Sequence, residues 1–127
     1  MTNYRKYTCE SGLEIFGGKD SDNNDELVWE ATPKDTLLHT EMPGSPFVNL
    51  GINPSKSDIK EATIFTAKYS QIWRDTKKDI IVNKFKRCDM NKTKKMKSGS
   101  WNVTKQEKLK VKKADILKLE EKIIQNG

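Results

Sequence analysis

The chain has 127 residues, of which 33 % are charged and 34 % hydrophobic, and its net charge at pH 7 is +6. This size suits one domain with a small core, and recurring Ile, Leu, Val and aromatic residues exclude a disordered composition. Two distant cysteines and a single histidine argue against a structural zinc site, so we expect no metal and no cofactor.

The N-terminus has no secretory apolar segment, and no apolar run reaches membrane-spanning length. We therefore expect a cytoplasmic protein with reduced thiols and no membrane partner.

The first part of the chain predicts two strands and a short helix. Alternating residues indicate strands at 4–8 and 13–16. The acidic segment 19–25 is expected to form a turn, and Asn24 or Asp25 to cap the helix that follows it.

The middle of the chain predicts a hairpin and the longest helix. Strands at 36–40 and 46–52 are joined by a Pro-Gly turn. Ser55 then opens a capping box, and apolar residues at helical spacing predict an amphipathic helix over 58–74.

The last part of the chain predicts three strands and a helix. The strands fall at 79–85, 100–104 and 108–112, and an apolar stripe indicates a helix over 114–124. Since no linker divides the chain, we predict a single α+β domain over 1–127. It would have a mixed, mostly antiparallel sheet, one long central amphipathic helix and a C-terminal helix.

The charge is unevenly distributed. Residues 84–113 carry twelve basic and two acidic side chains, a net charge of +10, whereas residues 1–63 carry six basic and eleven acidic ones, a net charge of −5. Alternation in the strand at 108–112 would place its lysines on one face, and we expect the cations to gather on one side of the fold. Such segregation predicts a polyanionic partner.

We therefore predict that this segment contacts the phosphates of a nucleic acid. Lysine outnumbers arginine here, which favours backbone or shape recognition over base reading. Trp101 could stack on a base or belong to the core. The predicted contact residues are Lys84, Lys86, Arg87, Lys92, Lys94, Lys95, Lys97, Trp101, Lys105, Lys108 and Lys110.

The sequence also allows other interpretations. The acidic segment 20–31 lacks the Gly and Glu that a calcium loop requires at its sixth and twelfth positions. His39 with Asp35 could serve an RNA-modifying enzyme, although a structural hydrogen bond is the simpler role for such a histidine. DNA or an acidic protein would also be attracted by the lysines, and a solvated loop is the plainest alternative.

Four segments of the chain, taken in order, are similar to one known family. The segments are GLEIFGGKDSDNNDEL at 12–27, DTLLHTEMPGSPFV at 35–48, EATIFTAKYSQIW at 61–73 and KTKKMKSGSWNVTKQEKLKV at 92–111. Together they resemble, over about 4–113, the NFACT RNA-binding (NFACT-R) domain. That domain lies on the C-terminal side of fibronectin-binding-protein-A-like and NEMF-like ribosome quality-control factors, and it also occurs as a stand-alone protein.

The resemblance implies a stand-alone, non-enzymatic domain that binds RNA such as tRNA or rRNA. It further implies a link to translation, ribosome quality control or tRNA modification. The family motif falls on Asn24, Asp25, Asp35, His39, Gly44 and Ser45. Two positions depart from it, since Leu37 replaces the usual Trp and Pro46 the usual His.

Overall fold

A computed structural model describes residues 3–126, in which six strands form an antiparallel sheet in the order β1-β2-β4-β3-β5-β8. The α+β prediction is confirmed, and every pairing in this part of the chain is antiparallel. The strands are β1 (Arg5–Thr8), β2 (Glu14–Gly17), β3 (Asp35–Thr40), β4 (Val48–Ile52), β5 (Ile80–Lys86), β6 (Met90–Asn91), β7 (Asn102–Val103) and β8 (Glu107–Val111). The helices are α1 (Ser21–Glu30), α2 (Lys56–Lys68), α3 (Gln71–Thr76) and α4 (Lys113–Asn126).

Both faces of the sheet are covered. On one face, Leu38, Val82 and Val111 pack in one core with residues of α2, α3 and α4. On the other face, Leu37 and Phe85 pack in a second core with residues of α1 and with Met90. Consecutive strand residues point to opposite faces, so the adjacent leucines of β3 serve the two cores in turn.

The predicted long helix is interrupted. Ser55 and Asp58 form the predicted capping box, but α2 ends at Lys68 and α3 begins only at Gln71. Ser70 is extended and caps α3 through its side chain, and the Gln71 amide donates to the Gly44 carbonyl at 2.7 Å. The break thus ties the helical layer to the turn between β3 and β4.

The start of α1 also differs from the prediction. Asp20 is the N-cap and accepts from the Asn23 amide at 2.8 Å, so the acidic segment forms the first turns of the helix rather than a loop. Asn24 and Asp25 lie inside the helix, where their side chains are available for contacts with other segments.

The lysine-rich region is organised by a small ribbon outside the main sheet. The predicted strand at 100–104 is reduced to β7, which pairs with β6. In β8 the predicted alternation is confirmed, because Lys108 and Lys110 are exposed while Val111 is buried. Within residues 3–126, no helix has the length and apolar character needed to cross a membrane.

Candidate nucleic-acid interface

The loop between β6 and β7 is held against α1 by Asp25. The Asp25 carboxylate accepts from the Gly99 amide and from the Trp101 indole N–H, each at 2.9 Å, and lies 3.5 Å from the Lys92 ammonium. The Lys92 ammonium also donates to two carbonyls within the loop. The lysine-rich loop, residues 92–101, is therefore a fixed structure rather than a solvated tether.

Arg87 and Trp101 form part of this support. The Arg87 Nε donates to the Val28 carbonyl at 2.7 Å, and its guanidinium lies 5.0 Å from the centre of the Trp101 ring and 5.5 Å from that of Trp29. The two indoles meet edge to face at 4.8 Å. Both predicted contact residues thus have internal roles, and RNA contact by either stays a prediction.

Four of the predicted lysines have a carboxylate partner within the fold. Exposed ion pairs of this kind contribute about 0–1 kcal/mol, so an RNA phosphate can compete with the carboxylate for the lysine. Lys92 is the most enclosed of the four, with 13 % of its side chain exposed. The pairs are Lys84–Glu107, Lys92–Asp25, Lys108–Glu41 and Lys110–Asp79.

The remaining predicted lysines, here called the open lysines, are exposed and have no ion pair with any of residues 3–126. Three of them lie on the loop that Asp25 fixes. They are the cations most available to an external anion: Lys86, Lys94, Lys95, Lys97 and Lys105.

The strand lysines do not share one side of the sheet. Lys84 is the cross-strand partner of Leu38, on the face covered by α2 to α4. Lys108 is the partner of Asn83, on the opposite face. The expectation of a single cationic side is therefore wrong for β5, because alternation directs its lysines away from those of β8.

A cleft of about 730 Å³ opens beside the loop. The start of α1 and the turn between β3 and β4 form one wall, residues 98–103 form the other, and His39 and Asn83 lie between them. Three further cations, which the sequence analysis did not single out, also line it: Arg5, Lys19 and Arg74.

Most of the family-motif residues build this cleft. Asn24 is buried, donates to the Ser45 carbonyl at 3.3 Å and accepts from the Phe47 amide at 2.9 Å. Ser45 accepts from the Thr40 amide at 3.0 Å. At Gly18, an added Cβ would lie 1.9 Å from the Asn24 Oδ1, so this contact requires glycine. These bonds fasten α1 to the turn between β3 and β4.

His39 is held as a neutral acceptor at the cleft. Its Nδ1 lies 2.6 Å from the Thr40 carbonyl, which can only accept, so Nδ1 carries the proton and Nε2 keeps a lone pair. The ring packs on Phe47 with centroids 4.4 Å apart. Burial lowers the pKa of His39, and the bond to the Thr40 carbonyl only partly offsets this.

Asp35 is not part of the cleft. Its carboxylate accepts from Thr32 and from Asn49. Burial alone would raise the pKa of Asp35, but these bonds outweigh it and the pKa is lowered. His39 lies four positions after Asp35 along β3, a distance of roughly 13 Å in a strand. The structure therefore does not bring together the pair on which an RNA-modifying enzyme would rely.

Asn83 is a further cleft residue that the sequence analysis missed. It is the cross-strand partner of His39 and is 8 % exposed. Its Oδ1 is buried and has no hydrogen-bond partner in the part of the chain that the structure describes. The feature of the sequence that could have indicated it is the single amide side chain in the largely apolar segment IIVNKF at 80–85.

One cluster within residues 3–126 could offer three ligand atoms to a metal: Cys9, Asp58 and Glu61 lie with these atoms within 4.8 Å of one another. Both carboxylates already accept hydrogen bonds. Burial, together with the two carboxylates, raises the pKa of Cys9 to about 11, which disfavours the thiolate that would bind a metal. The absence of a metal stays a prediction.

The fold and the site define a small α+β domain with an ordered lysine-rich loop beside a polar cleft. The family model of the NFACT protein RNA-binding domain matches residues 3–105, most of the chain. The chain therefore belongs to the NFACT RNA-binding domain family, as its motifs predicted. Lys108 and Lys110 lie beyond the matched range.

Among solved structures, the chain is similar to the C-terminal part of the fibronectin/fibrinogen-binding protein from Streptococcus suis. The TM-score is 0.79 at 21 % identity, and the match covers 88 % of this chain and 46 % of that one. The chain thus spans less than half of that structure, and the likeness concerns the fold. A search of curated proteins gave no match.

Proposed function

We propose that the domain binds structured RNA, such as tRNA or rRNA, through its phosphate backbone. Family membership supports an RNA-binding role. The observation that carries the finer proposal is the fixed loop, because it presents Lys94, Lys95 and Lys97 without carboxylate partners among residues 3–126. Lysines on a preordered loop lose less conformational freedom on binding than lysines on a flexible one.

The number of open lysines sets the expected salt dependence. If all five contact phosphates, the slope of log affinity against log salt is about −3.5 to −4.5, and affinity falls roughly 100- to 500-fold between 50 and 200 mM salt. A lysine ammonium is a point charge, whereas an arginine can form two parallel hydrogen bonds with a base edge. A surface of lysines therefore favours recognition of the RNA backbone and shape over recognition of sequence.

The biological setting that we propose is cytoplasmic and non-enzymatic. The domain would serve translation, ribosome-associated quality control or tRNA modification by binding RNA for another component. The isolated positions of Asp35 and His39 favour a binding role over catalysis by that pair.

The test is a titration of tRNA against salt with Lys94, Lys95 and Lys97 all changed to Glu. The matched control changes Lys78, Lys112 and Lys118, which are exposed elsewhere on the surface, to Glu. We expect the loop variant to lose affinity at least tenfold more than the control and to have a shallower salt slope. Equal losses in two folded variants would refute the proposed interface.

DNA remains the second candidate, because the lysines would meet the same phosphates. Duplex DNA and tRNA compared at one salt concentration separate the two. A clear preference for tRNA supports the proposal, and equal or tighter DNA binding contradicts it.

A further inference from the structure

Trp29, on α1, has the most exposed aromatic ring in the part of the chain that the structure describes. It is 60 % exposed, whereas Phe16, the next most exposed aromatic residue, is 37 % exposed and Trp73 is fully buried. Tryptophan is enriched at binding interfaces and is rarely left so open on a surface that binds nothing. The position of Trp29 in the fold indicates what it could bind.

The exposed indole is held in place by groups that are themselves fixed. Its ring meets that of Trp101 edge to face at 4.8 Å between centroids, and the Trp101 indole N–H donates to the Asp25 carboxylate. The Arg87 guanidinium lies 5.5 Å from the centre of the Trp29 ring. These contacts leave more than half of Trp29 exposed, so the residue presents a preordered aromatic surface.

Arg87 places an available cation beside this ring. Its Nε and Nη1 donate to the carbonyls of Val28 and Met90, which fixes the guanidinium without neutralising it. Arg87 has no ion pair with any of residues 3–126. An aromatic ring beside an unneutralised guanidinium suits a ligand that joins a flat ring to an anion, as a nucleotide does.

We propose that one unpaired nucleobase of the bound RNA stacks on Trp29, and that Arg87 meets a phosphate next to that base. The inference rests on the proposed function and deepens it, because it states which part of the RNA the domain recognises. Proteins commonly hold unpaired bases by stacking them on aromatic side chains. Trp101, which the sequence analysis singled out for this role, instead supports the ring that stacks.

The charges around Trp29 set the path of the RNA backbone. Glu26 and Glu30 flank Trp29 on α1 and would repel a phosphate, whereas a nucleobase carries no charge. Trp101 leads in the other direction, since its ring lies 5.0 Å from the Arg87 guanidinium and 5.4 Å from the Lys92 ammonium. We therefore expect the backbone to follow the lysine-rich loop, with one base reaching across to the indole.

Stacking predicts which RNAs the domain prefers. A base inside a duplex is covered on both faces by its neighbours, whereas a base in a loop, in a bulge or at an end can offer a face to a protein. A purine has a larger ring system than a pyrimidine and stacks more strongly. We expect unpaired adenosine or guanosine to bind more tightly than unpaired uridine.

The experiment compares two hairpin RNAs with the same stem. The short loop consists of adenosines in one and of abasic nucleotides in the other, so the number of phosphates is equal. We expect the native chain to prefer the adenosine loop about fivefold or more, the lower end of the range for a base stacked on an aromatic ring. Trp29→Leu should bind both RNAs with the affinity that the native chain has for the abasic loop.

Two further variants serve as controls. Trp29→Phe keeps an aromatic ring and should keep most of the preference. Leu117→Ala removes an exposed apolar side chain from α4, which covers the opposite face of the sheet from α1, and should leave the preference intact. Trp29→Leu keeps an apolar contact for Trp101, and urea unfolding checks that each variant is folded.

The outcomes separate the two proposals. A native chain that does not distinguish the two loops, or a preference that persists in folded Trp29→Leu, overturns the stacking site and leaves the RNA interface standing. An equal loss of affinity for both RNAs in Trp29→Leu also overturns the stacking site, because the indole would then only support the lysine-rich loop. Failure of the native chain to bind either RNA overturns both proposals and favours a protein partner for the exposed indole.

Discussion

Asp25→Ala tests whether the lysine-rich loop must be fixed in order to act. The Asp25 side chain is 18 % exposed and receives two N–H donors and one ammonium. Hydrogen bonds to a charged group contribute about 1.5–3 kcal/mol each. The released donors regain water once the loop opens, so we expect the free energy of unfolding to fall by about 2 kcal/mol.

The same variant should have two opposing effects on RNA affinity. Removing a carboxylate raises the net charge by one, and long-range attraction alone would strengthen binding. A freed loop must instead be ordered again on the RNA, at a cost that we place near 1.4 kcal/mol or about tenfold in affinity. We therefore expect weaker binding from a more positive protein.

Asp75→Ala is the matched control, since it makes the same change of charge on α3, where the exposed Asp75 accepts a hydrogen bond from Gln71. Urea unfolding gives the stability, hydrogen exchange at the Gly99 amide reports loop opening, and a tRNA titration gives the affinity. If Asp25→Ala binds tRNA as tightly as Asp75→Ala, ordering of the loop contributes nothing and the reasoning is refuted.

Three further predictions concern the core and its titratable groups. Gly18→Ala should lower the free energy of unfolding, measured by urea unfolding, by about 1–3 kcal/mol, because its Cβ would lie 1.9 Å from the Asn24 Oδ1. A thiol reagent at pH 8 should label the exposed Cys88 and spare Cys9, whose pKa is raised to about 11; equal labelling of the folded protein would contradict this. The pKa of His39 is lowered in the fold, so below about pH 6.5 the unfolded chain binds a proton more readily and stability falls as the pH drops. That decline should be reduced in His39→Gln, and an unchanged urea profile across this range would disprove it.

The elements that the sequence predicted well are those whose signal is local. The capping box at Ser55 and the alternation in β8 depend on neighbours a few residues away. The break at Ser70 was missed because its reason is distant, since the Gln71 amide bonds the Gly44 carbonyl of another turn. Apolar periodicity continues across the break and therefore hides it.

In the candidate site, too, the sequence predicted local features and missed those that depend on distant contacts. Charge density along the chain identified the region of the open lysines. It could not show that Lys92 and Arg87 are engaged inside the fold, because their partners Asp25 and Val28 come from α1. Asn83 was missed for a related reason: only the pairing of β3 with β5 places it beside His39.

The placement of the three tryptophans gives the molecule two separate optical reporters. Trp73 is fully enclosed among the helices, whereas Trp29 is exposed and contacts Trp101, the last residue of the lysine-rich loop. Emission from the touching indoles should respond when a ligand settles on that surface, and emission from the enclosed one should change only when the chain unravels. A variant that lacks Trp73 would thus report occupancy, and a variant that lacks Trp29 and Trp101 would report unfolding, without any attached dye.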